Sequence, residues 1–331
     1  MSSGTWGLTS GVARCFAVGL LLAASMVLAD CGGDPSALLI SSPPAGISAV
    51  FDEIYDGDFD KNNAGAPYDK FDIIYVAFAH IDPITHRLDF ETKVGKDIER
   101  QRLEILKANT QALRAAGKLK LVISLGWGEQ EAIGGVPLIE IYIDTVAPSV
   151  RQFVEQNGLD GFDIDYEFPQ FTSTEKFMEV AVKIRAALGP DYLFTITPNN
   201  TTNLDGATLN TYFDYVNAQS YNAQGDLTFS VSDLLDLGVS ASKVLAGADI
   251  ENINLYNNDQ NRVAWAINQY QSFALAGVFI WQMKPPADQF PGGTFQDYAN
   301  EVWNATQPET GAAQAWKPLK KGQTSSDNQK Q

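Results

Sequence analysis

Eight segments with the composition of buried β-strands alternate with helical segments between residues 47 and 304, and this alternation most constrains the fold. The strand segments are 47–53, 72–79, 119–125, 161–167, 193–198, 215–220, 243–249 and 277–283. Helical periodicity is strongest at 97–116, 138–157, 173–188, 259–273 and 294–304, and weaker near 205–212 and 231–237. This order predicts an α/β protein, a (β/α)8 barrel without a large inserted domain.

An open, doubly wound sheet alternates strands and helices in the same way and is the competing architecture. Such folds carry a glycine-rich phosphate-binding turn after the first strand, and none follows residues 47–53. The gaps between strand segments are also too short for a second domain. We therefore favour the barrel, with 47–304 as the single folded domain.

The amino-terminal segment, residues 1–29, has the pattern of a secretory signal peptide. Arg14 is its only charge, an apolar run follows, and Val27–Ala29 is an acceptable cleavage site. The apolar run is too short for a comfortable membrane span. A buried first helix is the alternative, but the polar, proline-containing linker at 30–46 argues against it. We therefore expect a secreted protein with no stable membrane span.

The chain has two cysteines, and Cys15 would leave with the signal peptide. Cys31 stands close to the cleavage site, so a lipid anchor is a second possibility, although Asp30 is a poor residue just before it. The mature chain would then have no internal disulfide. His80 and His86 are the only histidines, and no cluster with metal-ligand spacing is visible.

The formal net charge of −17 excludes some partners. Removal of residues 1–29 takes away one arginine and no acid, which leaves −18. Nucleic acids and anionic membranes repel such a chain, whereas a neutral polymer is not penalised. The polar end, residues 305–331, predicts a disordered tail. We expect a monomer.

Three acidic residues alternate with apolar ones in the fourth strand segment: Asp163, Asp165 and Glu167. Successive side chains of a strand point to opposite faces, so the three carboxylates share one face, about 6.6 Å apart. Two charges at that distance repel by roughly 2.5 kcal/mol at an effective dielectric of 20, or about 1.8 pK units. The pattern indicates a device that keeps one carboxyl protonated beside ionised partners.

Further polar and aromatic residues collect at the carboxyl ends of the strand segments, where barrels place their active sites. They are Ser124, Gly126 and Trp127 after the third, Pro198 and Asn199 after the fifth, Gln219, Tyr221 and Asn222 after the sixth, Asp249 and Glu251 after the seventh, and Trp281 at the eighth. Polar groups from at least five strand ends would meet at one end of the barrel.

The run Asp160, Asp163, Asp165, Glu167 completes the pattern DxxDxDxE. It resembles the signature of glycoside hydrolase family 18, which contains chitinases and related endo-β-N-acetylglucosaminidases. ISLGWG at 123–128 is similar to the SxGG end of the family's third strand, with one departure, a tryptophan in place of the second glycine.

Two later segments extend the resemblance over residues 47–304. AQSYN at 218–222 is similar to the Gln-x-Tyr-Asn pattern of small plant-type and bacterial chitinases. Trp281 resembles the tryptophan on the family's last strand. The departure at Trp127 concerns the shape of the third-strand loop and leaves the catalytic strand unaffected.

Glu167 is the candidate acid for the leaving oxygen, because burial and a neighbouring charge raise the pKa of a carboxyl. Asp165 lies on the same side and is badly placed to attack the opposite face of the sugar. The resemblance implies that the substrate's 2-acetamido group attacks instead, with net retention. Asp165 would hold the acetamido N–H, Tyr221 would donate to its carbonyl, and Asp163 would share a proton with Asp165.

The remaining candidates are substrate contacts and supporting residues. Substrate contacts are assigned to Gln219, Asn222, Trp281 and Trp127, and supporting roles to Asp160, Ser124 and Gly126. Trp281 would form the floor of the central sugar subsite, with core packing as the alternative for it and for Tyr221. Trp127 either stacks on a sugar or covers the barrel end. None of these residues calls for a metal or an organic cofactor.

The sequence leaves three functions open. The first is a secreted chitinase acting on chitin or chito-oligosaccharides. The second is an endo-β-N-acetylglucosaminidase acting on N-glycans, which would carry the same signature. The third is a non-catalytic chitin-binding lectin on the same barrel. Such relatives typically lose the acid at the position of Glu167, which this chain keeps.

Overall fold

The computed structural model describes residues 45–90, 94–126, 131–221, 229–250, 262–290 and 292–307. Within them, eight parallel strands form a closed barrel: β1 Ile47–Glu53, β2 Ile73–Ile81, β3 Lys120–Leu125, β4 Gly161–Tyr166, β5 Leu193–Pro198, β6 Tyr215–Ala218, β7 Val244–Asp249 and β8 Gly277–Trp281. Each strand pairs with the next along the chain, and β1 pairs with both β2 and β8. The predicted (β/α)8 barrel without a large insertion is confirmed.

The helices of the described residues lie between these strands along the chain, except for the last, which follows β8. They are α1 Phe59–Asn63, α2 Lys96–Ala115, α3 Leu138–Ile141, α4 Ile143–Asn157, α5 Thr174–Leu188, α6 Gly206–Tyr212, α7 Val231–Asp236, α8 Arg262–Phe273 and α9 Phe295–Thr306. None of the described helices has the length and apolar character that a membrane crossing requires. The predicted signal peptide, most of the linker and nearly all of the predicted tail lie outside the described residues.

The segment 138–157, predicted as one helix, forms two. The break falls at Tyr142, whose φ of −114° and ψ of 26° leave the helical region. The ring of Tyr142 stacks on His86, with centroids 3.5 Å apart and planes 6° from parallel. Periodicity does not reveal such a contact, because the two residues are far apart in the chain.

Three short hairpins of the described residues were also not predicted, and all follow carboxyl ends of barrel strands. Residues Leu88–Phe90 pair antiparallel with the end of β2, Ala132–Ile133 pairs with Val136–Pro137, and Gln289–Phe290 pairs with Gly293–Thr294. The second hairpin turns through Gly134 and Gly135, both at positive φ (59° and 81°), as a two-residue turn requires. Strands of two or three residues are too short for a readable alternation.

The barrel has an inner and an outer core, because its strands are buried on both faces. Phe51, Tyr75 and Phe279 belong to a cluster that contains no helix residue and therefore fills the barrel interior. Phe51 stacks on Tyr75 with centroids 4.6 Å apart. The larger cluster joins the outward strand residues, such as Ile164, to helix residues such as Phe177. The inner aromatics close the barrel below its carboxyl-terminal end, which we call the mouth.

A buried carboxyl on β1 leads to a stability prediction. Asp52 is 1% exposed, accepts a hydrogen bond from Asn63 Nδ2 (3.3 Å) at Oδ1, and has no hydrogen-bond partner at Oδ2. Burial raises its pKa to about 7. In the unfolded chain this carboxyl loses its proton near pH 4, whereas in the folded protein it keeps the proton up to about pH 7. The free energy of unfolding therefore falls as pH rises from about 4 to 7.

We expect Asp52→Asn to stabilise the fold by about 2 to 4 kcal/mol at pH 8 and to change it little at pH 4, because the amide removes the cost of burying a charge. Thermal unfolding followed by circular dichroism at both pH values measures this. Asp97→Asn is the control, since the Asp97 side chain is 99% exposed. An equal effect of Asp52→Asn at both pH values would contradict the explanation.

Candidate active site

The acidic residues of β4 descend from the mouth into the barrel. Asp163 is fully buried and Asp165 is 9% exposed, whereas Glu167 follows the last strand residue and is partly exposed. Because alternate residues share a face, the three carboxyls form one column. The sequence predicted this arrangement.

The deepest member, Asp163, lies in a cradle of hydroxyl groups. Ser124 Oγ donates to its Oδ2 (2.7 Å), Thr195 Oγ1 to its Oδ1 (2.6 Å), and Thr197 Oγ1 lies 3.0 Å from both oxygens. Burial raises the pKa of Asp163 to about 6, and the hydroxyl donors oppose that rise. The cradle therefore stabilises a carboxylate where water is excluded.

Asp165 and Glu167 meet around the amide of Gln219. Gln219 Nε2 donates to Asp165 Oδ1 (2.8 Å) and to the main-chain oxygen of Thr197 (2.9 Å). The pKa of Asp165 is raised well above its usual range by burial, then by the charges of Glu167 and Asp163. Burial also raises the pKa of Glu167, and its contact with Gln219 opposes the rise. The site thus retains a proton on these acids above the usual carboxyl range.

The backbone of Glu167 is held by the loops after β4 and β5. Its carbonyl oxygen accepts hydrogen bonds from Gln170 Nε2 (3.3 Å) and Asn200 Nδ2 (3.4 Å). Beside it, the Tyr166 hydroxyl donates to the carbonyl of Thr202 (2.7 Å). These bonds fix the point from which the Glu167 side chain reaches the mouth.

Tyr221, three residues beyond β6, lies across the mouth. Its ring meets Phe279 edge-on, with centroids 5.9 Å apart, and its carbonyl accepts a hydrogen bond from Arg262 Nη1 (2.6 Å). Burial raises the pKa of its hydroxyl well above the usual range, as do the charges of Asp249 and the β4 acids. The hydroxyl therefore stays protonated and can donate a hydrogen bond.

A glycine in β7 gives Tyr221 its room. A Cβ atom at Gly247 would stand 2.8 Å from Tyr221 Cε1 and 2.6 Å from Phe279 Cζ. Real side chains do not approach that closely, so a larger residue would displace the tyrosine. Gly247 was not among the site residues predicted from sequence.

Trp281 ends β8 and lies half-buried beside the mouth. Its ring lies 5.3 Å from Phe51 and 5.9 Å from Phe78, the second pair nearly parallel at 25°. Asp249 is its register partner on β7. The exposed part of the indole offers an apolar surface at the mouth, which is the kind of surface on which a sugar ring stacks.

Two further predicted residues, Gly126 and Asp160, lie at opposite ends of the barrel. A Cβ atom at Gly126 would stand 2.6 Å from His80 Cε1, so only glycine fits at the end of β3. Asp160 lies at the opposite end of the barrel, where its Oδ2 accepts the Leu121 N–H (2.9 Å) and an Arg114 hydrogen bond (3.2 Å). The first aspartate of the signature thus joins β3 to β4 at their amino ends.

Trp127 and Asn222 lie outside the described residues, so their predicted contacts stay predictions. The described residues contain no group of three histidine, cysteine or acidic side chains arranged to bind a metal ion.

Three polar residues of the barrel interior were missed: Thr195, Thr197 and Asn217. Both threonines occupy inward positions of β5, and Asn217 Nδ2 donates to Thr197 Oγ1 (2.9 Å). The signal was present in LFTITP, where threonine alternates with apolar residues. Threonine is common in strands, so the pattern alone does not separate a cradle from ordinary strand composition.

Known protein families and solved structures include several that are similar to this chain. The sequence model described as Glycosyl hydrolases family 18 matches residues 53–318. A chitinase from Bacteroides thetaiotaomicron superposes with a TM-score of 0.60 at 18% identity, over 81% of this chain and 98% of the other.

Two plant structures are similar to the same degree. A Glu-to-Gln variant of the class V chitinase from Nicotiana tobaccum in complex with NAG4 gives a TM-score of 0.61 at 14% identity, covering 81% of this chain and all of the other. A chitinase-like agglutinin from Robinia pseudoacacia gives 0.58 at 16% identity, covering 78% and 98%. At these identities the structures establish the fold alone, because both chitinases and an agglutinin share it.

Proposed function

The chain belongs to glycosyl hydrolase family 18, and from that premise we propose that it is a chitinase-like enzyme. It would cleave β-1,4 linkages between N-acetylglucosamine units with retention, by substrate-assisted catalysis. The observation that carries the proposal is the arrangement of Asp165 and Glu167, two acids with raised pKa values that share Gln219 beside the protonated hydroxyl of Tyr221.

In the first step, Glu167 donates its proton to the glycosidic oxygen. Its raised pKa supports this role, because an acid that keeps its proton near working pH is the effective donor. The 2-acetamido oxygen of the substrate attacks the anomeric carbon as the leaving group departs. The attack comes from the substrate because the acids of β4 share one face of their strand and approach from one side.

Asp165 and Tyr221 act on the acetamido group during that step. Tyr221 donates its hydroxyl hydrogen to the acetamido carbonyl and so orients the attacking oxygen. Asp165 accepts the acetamido N–H, and its negative charge offsets the positive charge that develops on the ring. Both side chains are held in place before substrate arrives, Asp165 by Gln219 and Tyr221 by Arg262.

In the second step, water opens the cyclic intermediate. Glu167, now ionised, takes a proton from the water, which attacks the face that the leaving group vacated. The product keeps its β configuration. Trp281 would support the distorted sugar from below throughout.

We also propose that the protein is secreted, on the strength of its signal-peptide-like first 29 residues. Chitin is an extracellular, neutral polymer, and a strongly acidic protein is not repelled by it.

A carbohydrate-binding protein without turnover is the second candidate, because the Robinia agglutinin shares the fold. The complete acid arrangement favours the enzyme. A lectin needs no proton donor. Burying two acids side by side costs stability, and acids with raised pKa values of this kind are typical of catalytic sites.

The test offers chito-oligosaccharides and a high-mannose glycoprotein side by side to the same preparation. We expect cleavage of the chito-oligosaccharides, detected by mass spectrometry, and an initial β-anomer product detected by proton NMR. Cleavage of the glycoprotein alone would contradict the chitinase proposal and indicate an endo-β-N-acetylglucosaminidase. Binding of both without cleavage would favour the lectin, and an initial α-anomer would refute retention.

A further inference from the structure

A chain of buried hydrogen bonds runs below the mouth from β2 to β4. The Tyr75 hydroxyl donates to Asn217 Oδ1 (3.2 Å), Asn217 Nδ2 donates to Thr197 Oγ1 (2.9 Å), and the Thr197 hydroxyl reaches Asp163 (3.0 Å). All four side chains are at most 1% exposed. The chain crosses β2, β6, β5 and β4 where bulk water does not enter.

One arrangement of hydrogens satisfies every bond of this network and ends at Asp163; the Tyr75 hydroxyl also contacts Thr195, which bonds the same acid. Because Tyr75 donates to Asn217 Oδ1, the amide NH2 of Asn217 faces Thr197. Thr197 Oγ1 accepts that N–H, so its single hydrogen is available for Asp163. Tyr75 and Asn217 therefore orient Thr197 as a donor toward the acid.

Asp163 receives two further hydroxyl donors, Ser124 Oγ at 2.7 Å and Thr195 Oγ1 at 2.6 Å. Each of its oxygens is thus already an acceptor. A carboxylate accepts all of these hydrogen bonds, whereas protonation of Asp163 would require one hydroxyl to turn its hydrogen away and to accept instead. The pattern favours the ionised acid despite complete burial.

Asp165 is in the opposite situation. Its one described donor is Gln219, and the negative charges of Asp163 and Glu167 face it from the same strand. The hydroxyls of Tyr75 and Tyr221 also face the barrel interior, and burial keeps both protonated. Glu53 on β1 and Asp249 on β7 end their strands at the mouth, and Asp249 acts electrostatically on Tyr221 together with the β4 acids.

We propose that Thr195 and Thr197, the second oriented by Asn217 and Tyr75, are positioning residues that hold Asp163 as the anion of the aspartate pair in the substrate-free protein. The proton that the pair retains then resides on Asp165. When positive charge develops on the bound sugar, this proton passes to Asp163 and leaves Asp165 as the anion that the proposed mechanism requires. The kinetic consequence rests on the proposed function, but the proton's location does not.

The kinetic test removes the hydroxyls one at a time. We expect Thr195→Val and Thr197→Val each to move the acid limb of the pH profile of kcat/KM on chito-oligosaccharides upward by about 1 pH unit, since a lost donor raises the pKa of Asp163. Thr195→Ser and Thr197→Ser should restore the parent profile. Ile196→Val, an outward substitution on the same strand, should not move it.

A merely structural role predicts a different result. The valine variants would then lose activity by the same factor at every pH, with the acid limb unmoved, and that outcome overturns the proposal. Failure of the serine variants to restore the profile would overturn it as well, because the hydroxyl is the group held responsible.

A second measurement needs neither turnover nor folded threonine variants. Infrared spectroscopy of the substrate-free protein at pH 7 detects protonated carboxyls by their C=O stretch. Asp52 and Glu167 also contribute to this band, so each variant is compared with the parent by a difference spectrum. We expect the difference spectrum to show a lost C=O band for Asp165→Asn and none for Asp163→Asn; any other pattern overturns the proposal. If the parent cleaves no N-acetylglucosamine polymer, the proposed function fails while this spectrum still decides where the proton lies.

Discussion

Replacement of Glu167 by glutamine is expected to lower kcat/KM on chito-oligosaccharides by about 10³-fold or more, and to leave their affinity within roughly threefold. Glutamine has nearly the size of glutamate and keeps a hydrogen-bonding head, but it cannot donate a proton to the glycosidic oxygen. The main-chain bonds from Gln170 and Asn200 that hold this position do not involve the side chain and should survive.

Two measurements separate chemistry from binding in this variant. Initial rates on a chromogenic chito-oligosaccharide report the chemical step, and isothermal titration calorimetry with chitotetraose reports the affinity. Glu104→Gln on α2 is the matched control, because the Glu104 side chain is 64% exposed and far from the mouth in sequence and fold. Turnover within tenfold of the parent would remove Glu167 from the role of acid.

The second large effect concerns Asp165, where asparagine is expected to lower kcat by about 10²- to 10³-fold. The substitution keeps an acceptor oxygen for Gln219, which now donates to Asp165 Oδ1 at 2.8 Å. It removes the charge that would offset the positive intermediate. It also removes a negative charge that repels the charge of Glu167, so Glu167 should lose its proton more easily and the alkaline limb of the pH profile should move to lower pH.

Asp160→Asn provides the control for this variant within the same signature. Asp160 bonds Leu121 and Arg114 at the amino end of the barrel. Its substitution should lower the thermal unfolding temperature and leave kcat of the folded protein within about twofold. A loss of kcat in Asp160→Asn comparable to that in Asp165→Asn would mean that the signature acts as one structural unit.

Much of the architecture was predictable because it depends on local pattern. The composition of buried strands marked β1 and β5 at their observed bounds, Ile47–Glu53 and Leu193–Pro198. Alternation with period two placed Asp163, Asp165 and Glu167 on one face. The hairpins after β2 and β3 and the helix break at Tyr142 were not predictable, since they depend on contacts between distant segments.

The acids of the site were predictable from sequence because three carboxylates on one face of a strand repel each other. Such repulsion lowers stability, so the pattern indicates a functional site. The neutral residues that control them were not. Thr195, Thr197 and Asn217 have no unusual composition, and only closure of the barrel brings them to Asp163. Gly247 was missed for the same reason, because the ring that requires its lack of a side chain comes from a different strand.

The sequence by itself predicted the barrel from the alternation of strand and helix segments, and the column of acids from the period of side chains along one strand. Tertiary structure alone decided which acid receives three hydroxyl donors and which receives one amide. It also separated Asp160 from the mouth. Hydrogen-bond partners come from neighbouring strands, and their register is set by closure of the sheet, which no single segment encodes.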